Sequence, residues 1–441
     1  MRTKIVFIAS VFLLISAVLI SSCSGSSPAH PSSITQTLDR EIAKSTQISN
    51  SPSLQVVVVK DGQIIWSRAF GENSSVDEIY MNASVQKTIT AVSILQLAEK
   101  GLLNLDTDIN MYLPFSVRHP EYPQTPITIR MLLAHRSGMG DFPYQFEWDT
   151  AAAFSPSYRP AGPSSILKMT HEEFTLSSLI PEGENYNPDS WIFEPGSEYH
   201  YSVSSYPFLR FIISHLSGQS YQEYIKENIF DPLGMDNSSF CIEDHPDQQV
   251  TPFTRIDGAN VEIPLWNGQG SMMRTTANDM AKFMIAMMDL EQTGDHQLLS
   301  PDSIELMRHR TTEFNDGFHS GGDLPRKGHG LGLFIFRGGW FGNGGSAPGY
   351  QSLLRYHPST KTGFVIFSNV NAILVGGENY RSVRSDIYVI QDALISILDP
   401  RLAFIWQNYR FIMIGVMLIC ATIFCFAYRA NRSKTRKKKR D

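Results

Sequence analysis

The chain has 441 residues, 42% hydrophobic and 18% charged, with a formal net charge of −6. That length carries a large core, in one domain with subregions or in two. Setting aside Arg2, Lys4 and a C-terminal tail with eight Lys/Arg and one acid leaves −15 for residues 5–428, which argues against a nucleic-acid partner.

Residues 1–22 read as an export signal: Arg2 and Lys4 form a short basic region, and Ile5 to Ile20 is almost wholly apolar. Ile20-Ser21-Ser22-Cys23 resembles a bacterial lipobox, which implies cleavage before Cys23 and lipid attachment to its thiol. The alternative is an ordinary secretory signal with an incidental cysteine. Residues 23–39 are expected to be a Ser/Pro-rich tether and residues 40–400 a folded body. Leu54 to Val59 is a β-branched run, Asp61-Gly62 a tight turn, and Gln63 to Phe70 the return strand of a hairpin.

Ile79-Tyr80-Met81 is apolar, and Asn82 is the expected N-cap of a long amphipathic helix. Apolar residues recur at Val85, Ile89, Val92, Ile94, Leu95, Leu97 and Ala98, and Gly101 is the expected stop. Ser84 then falls in the first turn, where free backbone N–H groups and the helix dipole favour negative charge. Lys87, three residues on, shares its face. There the amine can take the hydroxyl proton and make Ser84 a nucleophile. Alone, the pair fits a capping serine and a solvated lysine better. A second copy, Ser165-Ile166-Leu167-Lys168, follows Pro160-Ala161-Gly162-Pro163 with no long periodic helix after it, and reads as chance.

The middle, roughly 105–310, reads as mainly helical with Pro- and Gly-rich loops. A second hairpin runs from Tyr350 to Tyr356, turns around Pro358 to Gly363 and returns from Phe364 to Asn369. Ser382 to Leu398 is a closing helix. Strands at both ends with helices between predict an α+β fold: one antiparallel sheet built from both termini, flanked by helices, with a large helical region.

Residues 401–428 are expected to hold a membrane helix, its core the uncharged run Phe411 to Tyr428, bracketed by Trp406, Tyr409 and Tyr428. The basic tail 429–441 marks the cytoplasmic side, which places the body outside the membrane and lets the tail meet anionic lipid. Of the cysteines, Cys420 and Cys425 lie in this segment, Cys23 at the lipid site, and Cys241 alone in the body. No disulfide framework is available, and no Cys/His set has zinc-ligand spacing. No metal or cofactor is expected.

With these elements in place, the body over about residues 40–395 resembles the class C β-lactamase-like serine hydrolases, which include penicillin-recognising peptidases and esterases. Six ordered landmarks carry the resemblance: Val57-Val58-Val59-Lys60-Asp61-Gly62; Ala83-Ser84-Val85-Gln86-Lys87; Ile127 to Gly138, containing Leu132-Leu133-Ala134-His135-Arg136-Ser137; Glu194 to Ser202, containing Pro195-Gly196 and Tyr201; Phe230-Asp231-Pro232-Leu233-Gly234-Met235; and Gly344-Gly345-Ser346-Ala347-Pro348-Gly349-Tyr350. Ser84 and Lys87 match the family's S-x-x-K. Its Y-x-N falls on Tyr201-Ser202-Val203, with valine for asparagine. Its K-T-G or H-x-G falls on Asn343-Gly344-Gly345, with asparagine for the cation. Tyr80-Met81-Asn82 and Lys361-Thr362-Gly363 spell two of these motifs but stand in the wrong places, and read as structural.

The resemblance implies acyl transfer, with Ser84 as nucleophile and Lys87, Tyr201 or both taking its proton. The oxyanion would meet backbone N–H groups of Ser84 and Ser346 on an edge strand, where Gly344 and Gly345 admit substrate backbone and Asn343 can donate only a neutral hydrogen bond. Val203 cannot bond an acyl-side amide and Asn343 supplies no charge for a carboxylate, which implies weak recognition of classical β-lactams. The expected protein is a membrane-anchored extracytoplasmic hydrolase of an ester or a small amide or peptide. The alternative is a catalytically weak relative that binds cell-wall peptides or signals across the membrane.

Overall fold

A computed structural model describes residues 31–72, 74–141, 171–256, 258–265, 272–288, 297–314, 323–371 and 378–401. The expected export signal, Cys23, the membrane segment with its tail, and Ser165 to Lys168 lie outside these residues. Among the described residues no helix is long and apolar enough to cross a membrane. Helices of eight or more residues are α1 (Pro31–Ser49), α2 (Gln86–Glu99), α3 (His171–Leu179), α4 (Ser205–Ser217), α5 (Ala277–Met288), α6 (Pro301–Arg308) and α7 (Glu378–Leu398). The strands are β1 (Leu54–Lys60), β2 (Gln63–Phe70), β3 (Tyr80–Met81), β4 (Phe253–Ile256), β5 (Ala259–Glu262), β6 (Arg274–Thr275), β7 (Thr312–Glu313), β8 (Arg326–His329), β9 (Phe334–Phe336), β10 (Phe341–Ala347), β11 (Tyr350–His357) and β12 (Thr362–Ser368).

The hairpin turn Asp61-Gly62 has φ of 52° and 73°, the left-handed pair that a two-residue turn between twisted strands requires. β1 pairs with β2 on one side and β12 on the other, Val57 facing Val365. That pairing joins the two chain ends in one antiparallel sheet of order β2-β1-β12-β11-β10-β9-β8-β7. β1 is buried on both faces: Val56 and Val58 point into one cluster, Val57 and Val59 into the other, as the two-residue period of a strand dictates.

On the first face, Leu38 and Ile42 of α1 and Ile387, Ile390 and Leu394 of α7 cover the sheet. Residues 31–39 therefore belong to a helix and not to the expected tether. Ile34, Leu38 and Ile42 recur every four residues and dock on the sheet, a stripe that the Ser/Thr-rich composition conceals. On the other face α2 lies between the sheet and the helical region, and every residue from Gln86 to Leu97 is buried. It is a helix buried all round, not an amphipathic surface helix. Gly101, at φ 73°, ends it, with Leu102 N–H bonding Leu97 O at 3.0 Å.

Among the described residues, one ion pair lies wholly inside. Arg355 on β11 meets Asp323 at 2.7 Å, with both side chains fully buried, and Arg326 reaches the same carboxylate at 3.2 Å. Burial alone would raise the Asp323 carboxyl, but the two guanidiniums outweigh it and hold the group below the usual carboxylate value. Arg355 also donates to the Asn343 carbonyl of β10. The Asp323→Ala variant leaves Arg355 charged, buried and without its carboxylate, so urea unfolding should show a loss of about 3–5 kcal/mol, partly recovered by adding Arg355→Met. A loss under about 1 kcal/mol would show that the pair does not hold this part of the sheet.

Candidate active site

Ser84 sits on a one-turn 3-10 segment, Ala83–Val85, that leads straight into α2. Ala83 has φ 49°, a conformation whose Cβ makes it costly and that persists only where its surroundings enforce it. The enforcement is visible. Ser352 Oγ donates to Asn82 O at 2.8 Å, Asn82 N–H bonds Met273 O at 2.9 Å, and Met273 N–H bonds Gln86 Oε1 at 2.9 Å. Asn82 does not cap the helix as expected. Its side chain is buried, with Nδ2 at 3.5 Å from Met273 Sδ and 3.6 Å from Met280 Sδ.

Lys87 Nζ donates to Ser84 Oγ at 3.1 Å. The ammonium lies 5.2 Å from the Tyr201 ring centre and 5.5 Å from that of Tyr206. Tyr206 is committed elsewhere: its hydroxyl donates to Leu133 O at 3.0 Å, and burial pushes it well above its usual pKa. Tyr201 stands beside Lys87 and, among the described residues, makes no hydrogen bond to it or to Ser84. Its ring stacks on Phe334 at 6.1 Å and lies 4.4 Å from that of His135. The loop carrying Tyr201 is pinned from both sides. Ser202 N–H bonds His135 Nδ1 at 3.1 Å and Ser202 Oγ bonds Gly140 O at 3.1 Å. Val203 N–H bonds Asp141 Oδ1 at 2.6 Å.

β10 supplies the facing wall. It is not the last strand of the sheet, but β9 pairs only with its Phe341 and Gly342. Asn343 to Ala347 thus have β11 on one side and, among the described residues, no strand on the other, which gives a local free edge. A Cβ on Gly345 would stand 2.7 Å from Asn82 O and 2.9 Å from Ala83 Cβ, so only glycine lets β10 rest on the Asn82–Ser84 turn. Ser346 follows, its Oγ accepting from Asn371 Nδ2 at 2.9 Å.

Asn343 does not face a substrate as expected. It is 1% exposed, its Nδ2 donates to Gly332 O at 3.3 Å, and its Oδ1 accepts the Gly344 N–H at 2.9 Å. The amide thereby ties β10 to the turn behind α2, where Thr88 Oγ1 bonds the same carbonyl. The two look-alike motifs are structural. Tyr80 is buried, its hydroxyl 2.5 Å from Ser53 Oγ, and Lys361 occupies a left-handed turn whose carbonyl accepts Gly62 N–H.

Sequence reasoning missed His329, Tyr206, Asp141 and Asn371, which reach the site only through the tertiary fold. Gly332 carried a signal, as one glycine of Gly330-Leu331-Gly332: at φ 75°, its Cβ would meet Ala91 Cβ at 2.4 Å.

His135 and His329 form a buried pair, ring centres 5.0 Å apart, behind Tyr201. Burial drives both toward the neutral form. The His329 value falls to about 3, and that of His135 lies well below 6.5, with His329, Lys87 and His200 adding repulsion. In the unfolded chain both imidazoles charge near pH 6.5. Below that pH the unfolded state binds more protons, so stability is lost as pH falls from about 6.5, by about 1.4 kcal/mol per pH unit per histidine. Unfolding free energies between pH 7 and pH 5 should decline less steeply in His329→Phe than in the native chain. Parallel curves would show that His329 does not titrate on unfolding.

Comparison with known proteins matches residues 38–383 to a family model described as Beta-lactamase. Protein flp from Staphylococcus aureus (strain N315) is 23% identical over 415 residues, spanning 85% of this chain and 74% of the relative. The putative penicillin-binding protein PbpX of Bacillus subtilis (strain 168) is 27% identical, spanning 71% of this chain and 70% of the relative. Among solved structures, the octameric penicillin-binding protein homologue from Pyrococcus abyssi superposes with a TM-score of 0.65 at 23% identity, covering 82% of this chain and 77% of that one. The D-amino acid amidase from Ochrobactrum anthropi SV3 gives 0.57 at 20% identity, covering 82% and 97%. With the family match spanning most of the chain and the antiparallel sheet and helical region in place, the chain belongs to the Beta-lactamase family of serine hydrolases.

Proposed function

We propose that the chain is an active serine hydrolase that forms an acyl-enzyme on Ser84 from an ester or a small amide or peptide. The Lys87–Ser84 hydrogen bond of 3.1 Å carries the reading, because it joins a nucleophile to a base on a turn held rigid by β10. In its amine form Lys87 takes the hydroxyl proton as Ser84 Oγ bonds the carbonyl carbon. The oxyanion is met by backbone N–H groups of Ser84 and Ser346. The proton passes to the leaving alcohol or amine, the scissile bond breaks, and an ester to Ser84 remains. Water then attacks that ester, gives up a proton by the same route, and releases the acid with the hydroxyl restored. Tyr201, beside Lys87, closes onto the pair when substrate enters, since catalytic hydrogen bonds commonly tighten only in the complex. The amidase among the structural neighbours supports amides as candidate substrates.

The body works outside the cytoplasm and is held at a membrane. The basis is the apolar segment with flanking positive charge at residues 1–22, Cys23, and the run 411–428 followed by the basic tail.

A second reading, a catalytically weak binder of cell-wall peptides, is favoured by the inward-facing Asn343 and by Val203. A serine-directed phosphonate applied to the full chain separates the two. Mass spectrometry should find the adduct on Ser84, none in Ser84→Ala, and labelling slowed by about 10²-fold or more in Lys87→Ala. No adduct on folded native protein would leave the binding reading in front. Penicillin labelling in addition would favour peptidoglycan-like peptides; phosphonate labelling alone would favour esters. A membrane-impermeant phosphonate should label Ser84 on intact cells, and labelling only after lysis would overturn the external location.

A further inference from the structure

We infer that His135 is a positioning residue for Tyr201: a neutral imidazole, protonated at Nε2 alone, whose Nδ1 holds residues 200–202 so that the Tyr201 ring stays beside Lys87. This rests on the reading of Ser84 as nucleophile and Lys87 as base. Three contacts tie His135 to that loop. Its carbonyl accepts His200 N–H at 2.9 Å, its Nδ1 accepts Ser202 N–H at 3.1 Å, and its ring centre lies 4.4 Å from that of Tyr201. The Tyr201 ring centre is in turn 5.2 Å from Lys87 Nζ. The backbone of His135 has φ 55°, a region costly for a residue with a Cβ. Such strain persists where the surroundings enforce it, and it gathers at functional positions. Here one strained residue offers both its carbonyl and its ring to a single loop.

The tautomer follows from the bond to Ser202. A backbone N–H only donates, so Nδ1 is the bare nitrogen and the ring proton sits on Nε2. A second proton, on Nδ1, would set two donors against each other and release the loop. The surroundings oppose that proton: burial first, then repulsion from His329 of β8, Lys87 of α2 and His200 of the loop itself. The rings of Tyr199, Tyr201 and Tyr206 also pack on the imidazole. An apolar side chain at 135 would fill the same space but leave the N–H of Ser202, a fully buried residue, without its acceptor.

The test is a double-mutant cycle in the full chain, read as kcat and KM for p-nitrophenyl acetate, with phosphonate labelling of Ser84 checked in each preparation. His135→Leu removes the acceptor and should lower kcat by about 10–10²-fold with little change in KM. His135→Asn puts an amide oxygen where Nδ1 stood and should recover most of that loss. In the Tyr201→Phe background, His135→Leu should cost less than about threefold, because the hydroxyl it positions is already gone. A merely structural histidine would cost the same in both backgrounds. Equal losses overturn the inference, as do a Tyr201→Phe chain as active as the native one and an Asn variant as impaired as the Leu variant. One check needs only the native tautomer: 15N NMR of histidine-labelled chain at pH 7, with His135 assigned by its absence in His135→Asn, should show Nε2 protonated and Nδ1 bare. A proton on Nδ1 overturns the inference even where His135→Leu does not fold. Native protein that fails to label at Ser84 overturns the hydrolase reading itself.

Discussion

The site depends on how closely β10 approaches the Asn82–Ser84 turn. That turn holds an alanine at φ 49°, which an isolated chain would relax. It cannot relax here, because Ser352 grips the Asn82 carbonyl and β10 lies where a Cβ on Gly345 would already overlap Asn82 and Ala83. The same contact brings β10, in which Ser346 follows Gly345, up against the turn that carries Ser84. A sheet that brought β10 about 1 Å further away would free the turn to relax and would lose the placement of Ser84.

The sheet can approach so closely because it closes the chain on itself. β1 and β12 come from opposite ends of the body and pair over Leu54 to Val59, which places β11 and β10 next in line. Behind them the Arg355–Asp323 pair and the bond from Arg355 to the Asn343 carbonyl fasten β10 to the interior. The site's precision therefore comes from long-range contacts on both sides of one strand, and little of it from the helix that carries the serine.

This division explains what could be read from the residues. Asp61-Gly62 between β-branched runs gave the first hairpin, and the spacing of Ser84 and Lys87 gave their contact, because turn chemistry and helical periodicity are local. The order of the landmarks identified β10 despite its composition, Phe-Gly-Asn-Gly-Gly-Ser-Ala, which has no β-branched residue. β7, β8 and β9 escaped notice because they are short and two of them are polar. α1 was hidden by its Ser/Thr content. The direction of Asn343, the anchoring of Val203 by Asp141 across 62 residues, and the grip of Ser352 on Asn82 across 270 have no local signature at all.

The departures from the family motifs form one electrostatic arrangement. An asparagine at 343 is not a weakened cation but a structural clamp, its amide used on Gly332 and Gly344. Behind Tyr201, burial keeps His135 and His329 neutral, so no imidazolium adds positive charge beside Lys87. Two tyrosine rings lie beside the Lys87 ammonium instead. The side chain at 343 thus brings no charge to the free edge of β10. On the Tyr201 side, the Asp141 carboxylate holds the loop through Val203 N–H. The departures thus leave the Ser84–Lys87 contact intact and turn the side chain at 343 away from the free edge of β10 and into the fold.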